Sequence, residues 1–121
     1  MELTAKLIAG VRAAIVDELK LLSDPAAQLQ YERDVPAAHV AAELFCGWFD
    51  DSYHPDSLAH RAAFSDRERE ALARFHLEFE RASAEIGDAP SRVSELQALD
   101  AWARVVAEAR SALSAIGEVA A

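Results

Sequence analysis

The chain has 121 residues, 52% of them apolar and 27% charged, with 21 acidic side chains against 12 basic ones. That size and balance point to one globular domain over 1–121 and exclude a disordered chain. The net charge of −9 repels phosphate; it argues against nucleic acid and an anionic membrane surface as partners and favours a basic protein.

Alanine fills 27 positions, while glycine and proline fill four each. The mix favours helix, because alanine loses no side-chain entropy there and the other two interrupt it. The expected fold is all-α: a bundle of four main helices, about 2–22, 36–52, 65–86 and 91–116, with short helices in the connections.

In the first helix Leu3, Leu7, Val11, Ile15, Leu19 and Leu22 recur at three- and four-residue steps, the pattern of a core-facing stripe. Glu18 interrupts that face. A carboxyl so placed requires a polar or cationic contact, and Arg110, inside the apolar face of the last helix, is the candidate. Asp24-Pro25 caps and opens a short helix that reaches about Arg33. The second main helix starts near Pro36 and buries Val40, Ala41, Leu44, Phe45, Trp48 and Phe49; His54-Pro55 ends it after about Ser52. Ser65-Asp66-Arg67-Glu68 is a capping box for the third helix, whose inward stripe is Leu72, Phe75, Phe79, Ala82 and Ile86. The last helix, carrying Leu96, Leu99, Trp102, Val105, Val106, Leu113 and Ile116, is the most apolar and is expected to be the most buried.

Chemistry-bearing residues concentrate in Phe45–Ser57, FCGWFDDSYHPDS. His39, Glu43, Asp50 and His54 fall on one outward stripe of the second helix and form the nearest approach to a metal set. The motif is a single His-x-x-x-Glu with no counterpart on a facing helix, so no metal or other cofactor is assigned. Cys46, the one cysteine, forms no disulfide within the chain. Its helical neighbours Glu43 and Asp50 raise its pKa, which makes it a structural thiol and not a nucleophile. Asp50 and Asp51 stand at a helix C-terminus, where the dipole disfavours negative charge. His54 can offset Asp50 at i−4; beyond that the pair calls for an arginine from another helix, a cation or a basic partner. The expected partner-binding set is therefore Asp50, Asp51, Tyr53, His54 and Asp56.

Asp51-Ser52-Tyr53-His54-Pro55 resembles, over those five residues, the acidic Tyr-Pro segment of helical nuclease-colicin immunity proteins. The resemblance implies capture of a basic toxin, and it assigns no individual binding residue here. Leu77 lies on the charged side of the third helix between Ala73 and Ala84, a second apolar strip suited to a homodimer contact. His60 and His76 carry no pattern beyond themselves. Glycine-rich phosphate loops, nucleophile elbows and zincin motifs do not occur in the chain.

The leading expectation is a non-catalytic protein-binding module, of the bacterial immunity or antitoxin kind or an adaptor, that captures a basic partner. The first alternative is a small metal-assisted hydrolase using Asp50, Asp51 and His54; the second is a structural self-associating subunit. Apolar runs stay well short of a membrane span and the first residues lack signal-peptide character, so the expected location is the cytoplasm.

Overall fold

The computed structural model describes residues 3–118, and every regular element within them is helical. In chain order these are α1 (Ala5–Leu22), α2 (Pro25–Asp34), α3 (Val40–Cys46), α4 (Leu58–Ala63), α5 (Asp66–Ile86), α6 (Val93–Gln97) and α7 (Asp100–Ala115). Between α3 and α4 the chain passes through a π-helical turn, Gly47–Ser52. Among the described residues no helix is long and apolar enough to cross a membrane.

The starts follow local chemistry. Thr4 Oγ1 accepts from Leu7 N at 3.0 Å and opens α1; the expected start near Glu2 lies outside the described residues. Asp24 accepts from Ala27 N, with Pro25 in the first turn of α2. Ser65 and Glu68 form both arms of the capping box on α5, and each such cap contributes about 1 kcal/mol.

Two expected boundaries are corrected. The second main helix does not begin at Pro36: residues 35–38 make a turn closed by Ala38 N to Val35 O at 3.0 Å, and helix starts at Val40. The last helix is not continuous. Ala98 and Leu99 separate α6 from α7, with Leu99 extended at φ −86°, ψ 134° and its side chain exposed. The two pieces serve different neighbours, since α6 packs on α2 and α3 while α7 packs on α5 and α1. Glu32 on α2 receives Val93 N at 2.8 Å and caps the start of α6, and Gln97 Nε2 donates to Pro25 O at 2.9 Å.

The core lies between α1, α5 and α7, closed on one side by α3 and the π-turn. Ile15, Leu19 and Leu22 meet Leu44, Trp48, Leu72, Phe75, Phe79 and Trp102, all of them buried, and each full burial contributes ~1.5–3 kcal/mol. Trp48 meets Phe75 edge-on, centroids 4.8 Å apart, and stacks on Tyr53 at 4.7 Å. Buried Gln28 joins α2 to its neighbours: Nε2 donates to Leu21 O and Leu22 O, while Oε1 accepts from Gln97 Nε2 and Trp102 Nε1. Arg12 fastens α1 to three helix ends, donating to both Glu68 oxygens, to Ala63 O and to Ile116 O. The same pairing holds the Glu68 carboxyl below its usual pKa.

Candidate functional site

The π-turn determines what the acidic segment can do. Its closing bond runs from Tyr53 N to Trp48 O at 3.0 Å, one residue longer than an α-helical bond. One extra residue per turn rotates everything after Cys46 by about 100° relative to an ideal α-helix. Tyr53 is thereby carried inward. It is 8% exposed, packed between Trp48 and His76 with His60 at its edge. Tyr53 is a core aromatic, and its ring is not on the surface offered to a partner. Burial, then the charges of Asp56 and Glu80, push its hydroxyl pKa up.

Asp50, Asp51, His54 and Asp56 remain exposed. The anticipated pairing of His54 with Asp50 does not form; His54 Nε2 instead meets Asp51 O at 3.3 Å. Among the described residues no arginine, lysine or histidine pairs with Asp50 or Asp51. The two charges at the end of this helical run stay uncompensated.

Asp51 and His54 line a groove of about 500 Å³ between the π-turn, the start of α4 and the N-terminal half of α1. The α1 wall is Lys6, Leu7, Gly10, Val11 and Ala14, with Thr4 at its cap; Ser52, Ser57 and His60 complete the opposite side. The apolar stripe of α1 therefore divides. Ile15, Leu19 and Leu22 enter the core, whereas Leu7 and Val11 face the groove and Leu3 is 41% exposed.

Glu18, one turn beyond Ala14, also meets the π-turn. Its carboxyl lies so close to Gly47 that a methyl group there would stand 2.5 Å from Oε1. Gly47 has ordinary helical angles, φ −56° and ψ −38°, so glycine serves close approach at this position and not an unusual backbone. Glu18 Oε1 is buried without a hydrogen-bond partner. Burial, and secondarily the charge of Asp51, push the carboxyl pKa up to about 7. The expected contact with Arg110 is absent: Arg110 is exposed and its Nε donates to Ser23 O at 3.1 Å. The carboxyl turns instead toward the close backbone approach that Gly47 permits.

His60, to which sequence patterns assign nothing, is 1% exposed, with Nδ1 unpartnered. It sits at the third position after Ser57, whose Oγ accepts His60 N at 3.1 Å; the Ser-x-x-His spacing of this cap is the one available signal. Burial, then the charges of Arg69 and His54, push its pKa down, so the ring is neutral near pH 7. His76 is a packing residue that accepts Trp48 Nε1–H at 3.1 Å.

The four residues nearest to a metal set do not converge. His39 Nε2 bonds Pro90 O at 2.7 Å in the turn before α6, away from His54, and among the described residues no three His, Cys, Asp or Glu side chains gather as a metal cluster. The Cys46 thiol pKa is pushed up by burial first, then by its hydrogen bond with Asp50 and by nearby carboxylates, the opposite of an activated nucleophile. Ala73, Leu77 and Ala84 are all exposed on α5, Leu77 at 59%.

Compared with models of known families, with curated proteins and with solved structures, the chain matches none.

Proposed function

We propose that the chain is a non-catalytic binding protein of the cytoplasm that captures a basic protein partner at the groove between α1 and the π-turn. The observation that carries this reading is the placement of Asp51, exposed and unpaired among the described residues, on the rim of a groove whose α1 wall is apolar apart from Lys6. A partner segment with cations on one side and apolar side chains on the other satisfies both features at once. This is the helix-in-groove mode of recognition, with carboxylates steering the approach. The volume falls within the range of specific binding sites.

The hydrolase alternative has less support. A metal-assisted mechanism through Asp50, Asp51 and His54 needs ligands that converge, whereas among the described residues no three His, Cys, Asp or Glu side chains gather, and His54 Nε2 meets the Asp51 backbone carbonyl. The self-association alternative rests on the exposed strip of Ala73, Leu77 and Ala84.

The test is affinity capture from the native host, with the unmodified chain and an Asp50→Asn/Asp51→Asn double variant as baits. The proposal expects a basic protein recovered by the first and depleted from the second. Equal recovery by both contradicts it.

A further inference from the structure

We propose that the groove is a receptor for an aliphatic ammonium, the lysine side chain of an amphipathic segment in the basic partner. The methylene stem lies along Leu7, Val11 and Ala14, and the charged head sits between Asp51 and Glu18. The inference rests on the binding function proposed above and specifies its anchor.

Four observations converge on it. Leu7 and Val11 leave the core stripe and form a wall with Gly10 and Ala14. Asp51 lines the groove, and Glu18 stands one turn beyond Ala14 on α1, outside the lining but near enough for the charge of Asp51 to bear on it; neither carboxyl is ion-paired among the described residues. Glu18 Oε1 is buried with no partner. Independently, His60, 1% exposed and unpartnered at Nδ1, lines the same groove. An apolar body and a cationic head match this lining, and a neutral imidazole in the wall adds an acceptor without repelling the cation.

Lys6 also lines the groove, but twelve residues before Glu18, about 18 Å away along α1. The charged groups of the lining are thus Lys6 near the start of α1 and Asp51 in the π-turn, with Glu18 just beyond the lining, and this separation orients the stem. A compact ammonium suits the position between Asp51 and Glu18 better than a guanidinium. The Glu18 carboxyl lies against Gly47 with both oxygens near the backbone, so its edge is not open to a planar two-pronged donor.

Of the titratable groups around this point, Asp51 from the π-turn is the one whose charge bears on Glu18; His54 and His60 also line the groove, and the charge of His54 bears on His60. Insertion of a cation favours ionised Glu18, so binding releases a proton near neutral pH and strengthens as the pH rises.

The experiment is a two-dimensional amide NMR titration of the full chain with n-hexylammonium chloride and, separately, with neutral n-hexanol, at about pH 8 and about pH 5.5, pH values that bracket the Glu18 transition. Expected are shifts centred on residues 7–18 and 47–60, a hexanol affinity at least about fivefold weaker, and a comparable loss for hexylammonium at the lower pH or in Asp51→Asn. Gly47→Ala, which displaces the Glu18 carboxyl without removing it, weakens hexylammonium and leaves hexanol unchanged. Equal binding of alcohol and ammonium, or shifts elsewhere on the surface, overturns the inference. A labelled Lys/Leu amphipathic peptide is titrated in parallel. If it binds in an Asp51-dependent way while hexylammonium does not, the lysine anchor fails and the binding function stands; if neither binds, both fail.

Discussion

Replacing Glu18 by glutamine removes a charge while keeping the size of the side chain, and its effect on stability has a definite pH signature. In the unfolded chain this carboxyl loses its proton near 4.5; in the folded chain burial and Asp51 hold the proton until about 7. Between those values the folded state binds the additional proton, so stability is full below about pH 4.5, falls as the pH rises through 7, and levels off above about 8. Undiminished, a displacement of that size corresponds to ~3 kcal/mol, and the carboxyl's remaining contact with water reduces it to ~2 kcal/mol. The assay is urea unfolding from about pH 5 to about pH 8.5, followed by the fluorescence of Trp48 and Trp102, both fully buried. Relative to the unmodified chain, Glu18→Gln gains ~2 kcal/mol across that interval. His60, whose depressed pKa works in the opposite sense by opposing protonation in acid, is common to both proteins and cancels in the difference. Parallel curves for the two proteins would refute the claim that Glu18 is held desolvated beside Asp51.

Gly47→Ala tests the same contact from the other side. The backbone there is helical, so alanine gains ~0.5–1 kcal/mol in helix propensity, and the flexible Glu18 carboxyl moves outward. Urea midpoints should equal or exceed those of the unmodified chain, more so at pH 8 than at pH 5; a loss above ~2 kcal/mol at both pH values would show that the carboxyl is rigidly held. Gln28→Leu strands Trp102 Nε1–H and two backbone carbonyls and should destabilise the chain by ~2–4 kcal/mol in the same assay. Leu77→Ser tests the exposed strip on α5. If α5 mediates a homodimer, sedimentation velocity finds a dimer that the variant abolishes, and a monomer in both removes that role.

Helix existence was legible wherever a stripe and a cap coincided, as in α5, where Ser65-Glu68 and Leu72, Phe75, Phe79 and Ala82 agree with the observed cap and burial. The π-turn was not legible. Its i to i+5 bond changes the register by one residue, and nothing in Gly47-Trp48-Phe49 announces the change. A wheel drawn at 100° per residue through this segment therefore places Tyr53 outside and His54 beside Asp50, and both placements fail for that reason. Gly47 itself reads locally as a weak point in a helix; its purpose depends on Glu18, distant in sequence and brought close only by packing. Periodicity likewise identifies an apolar face without saying what covers it. Leu7 and Val11 belong to the same stripe as Ile15 and Leu19, yet they are only half-buried and line the groove. The uncompensated charge of Asp50 and Asp51 was legible, because it follows from the helix dipole and the local shortage of basic residues.

The central claim, that an apolar groove rimmed by Asp51 captures a basic amphipathic partner, is tested most directly by fluorescence polarisation of a labelled Lys/Leu amphipathic peptide. It is titrated with the unmodified chain, with Asp50→Asn/Asp51→Asn, and with a control at exposed Asp88 (Asp88→Asn) in the turn after α5. The account predicts saturable binding that weakens about tenfold between about 50 and about 300 mM salt, a loss of at least about fivefold in the double variant, and little change in the control. Binding indifferent to salt and equal in all three proteins would contradict it.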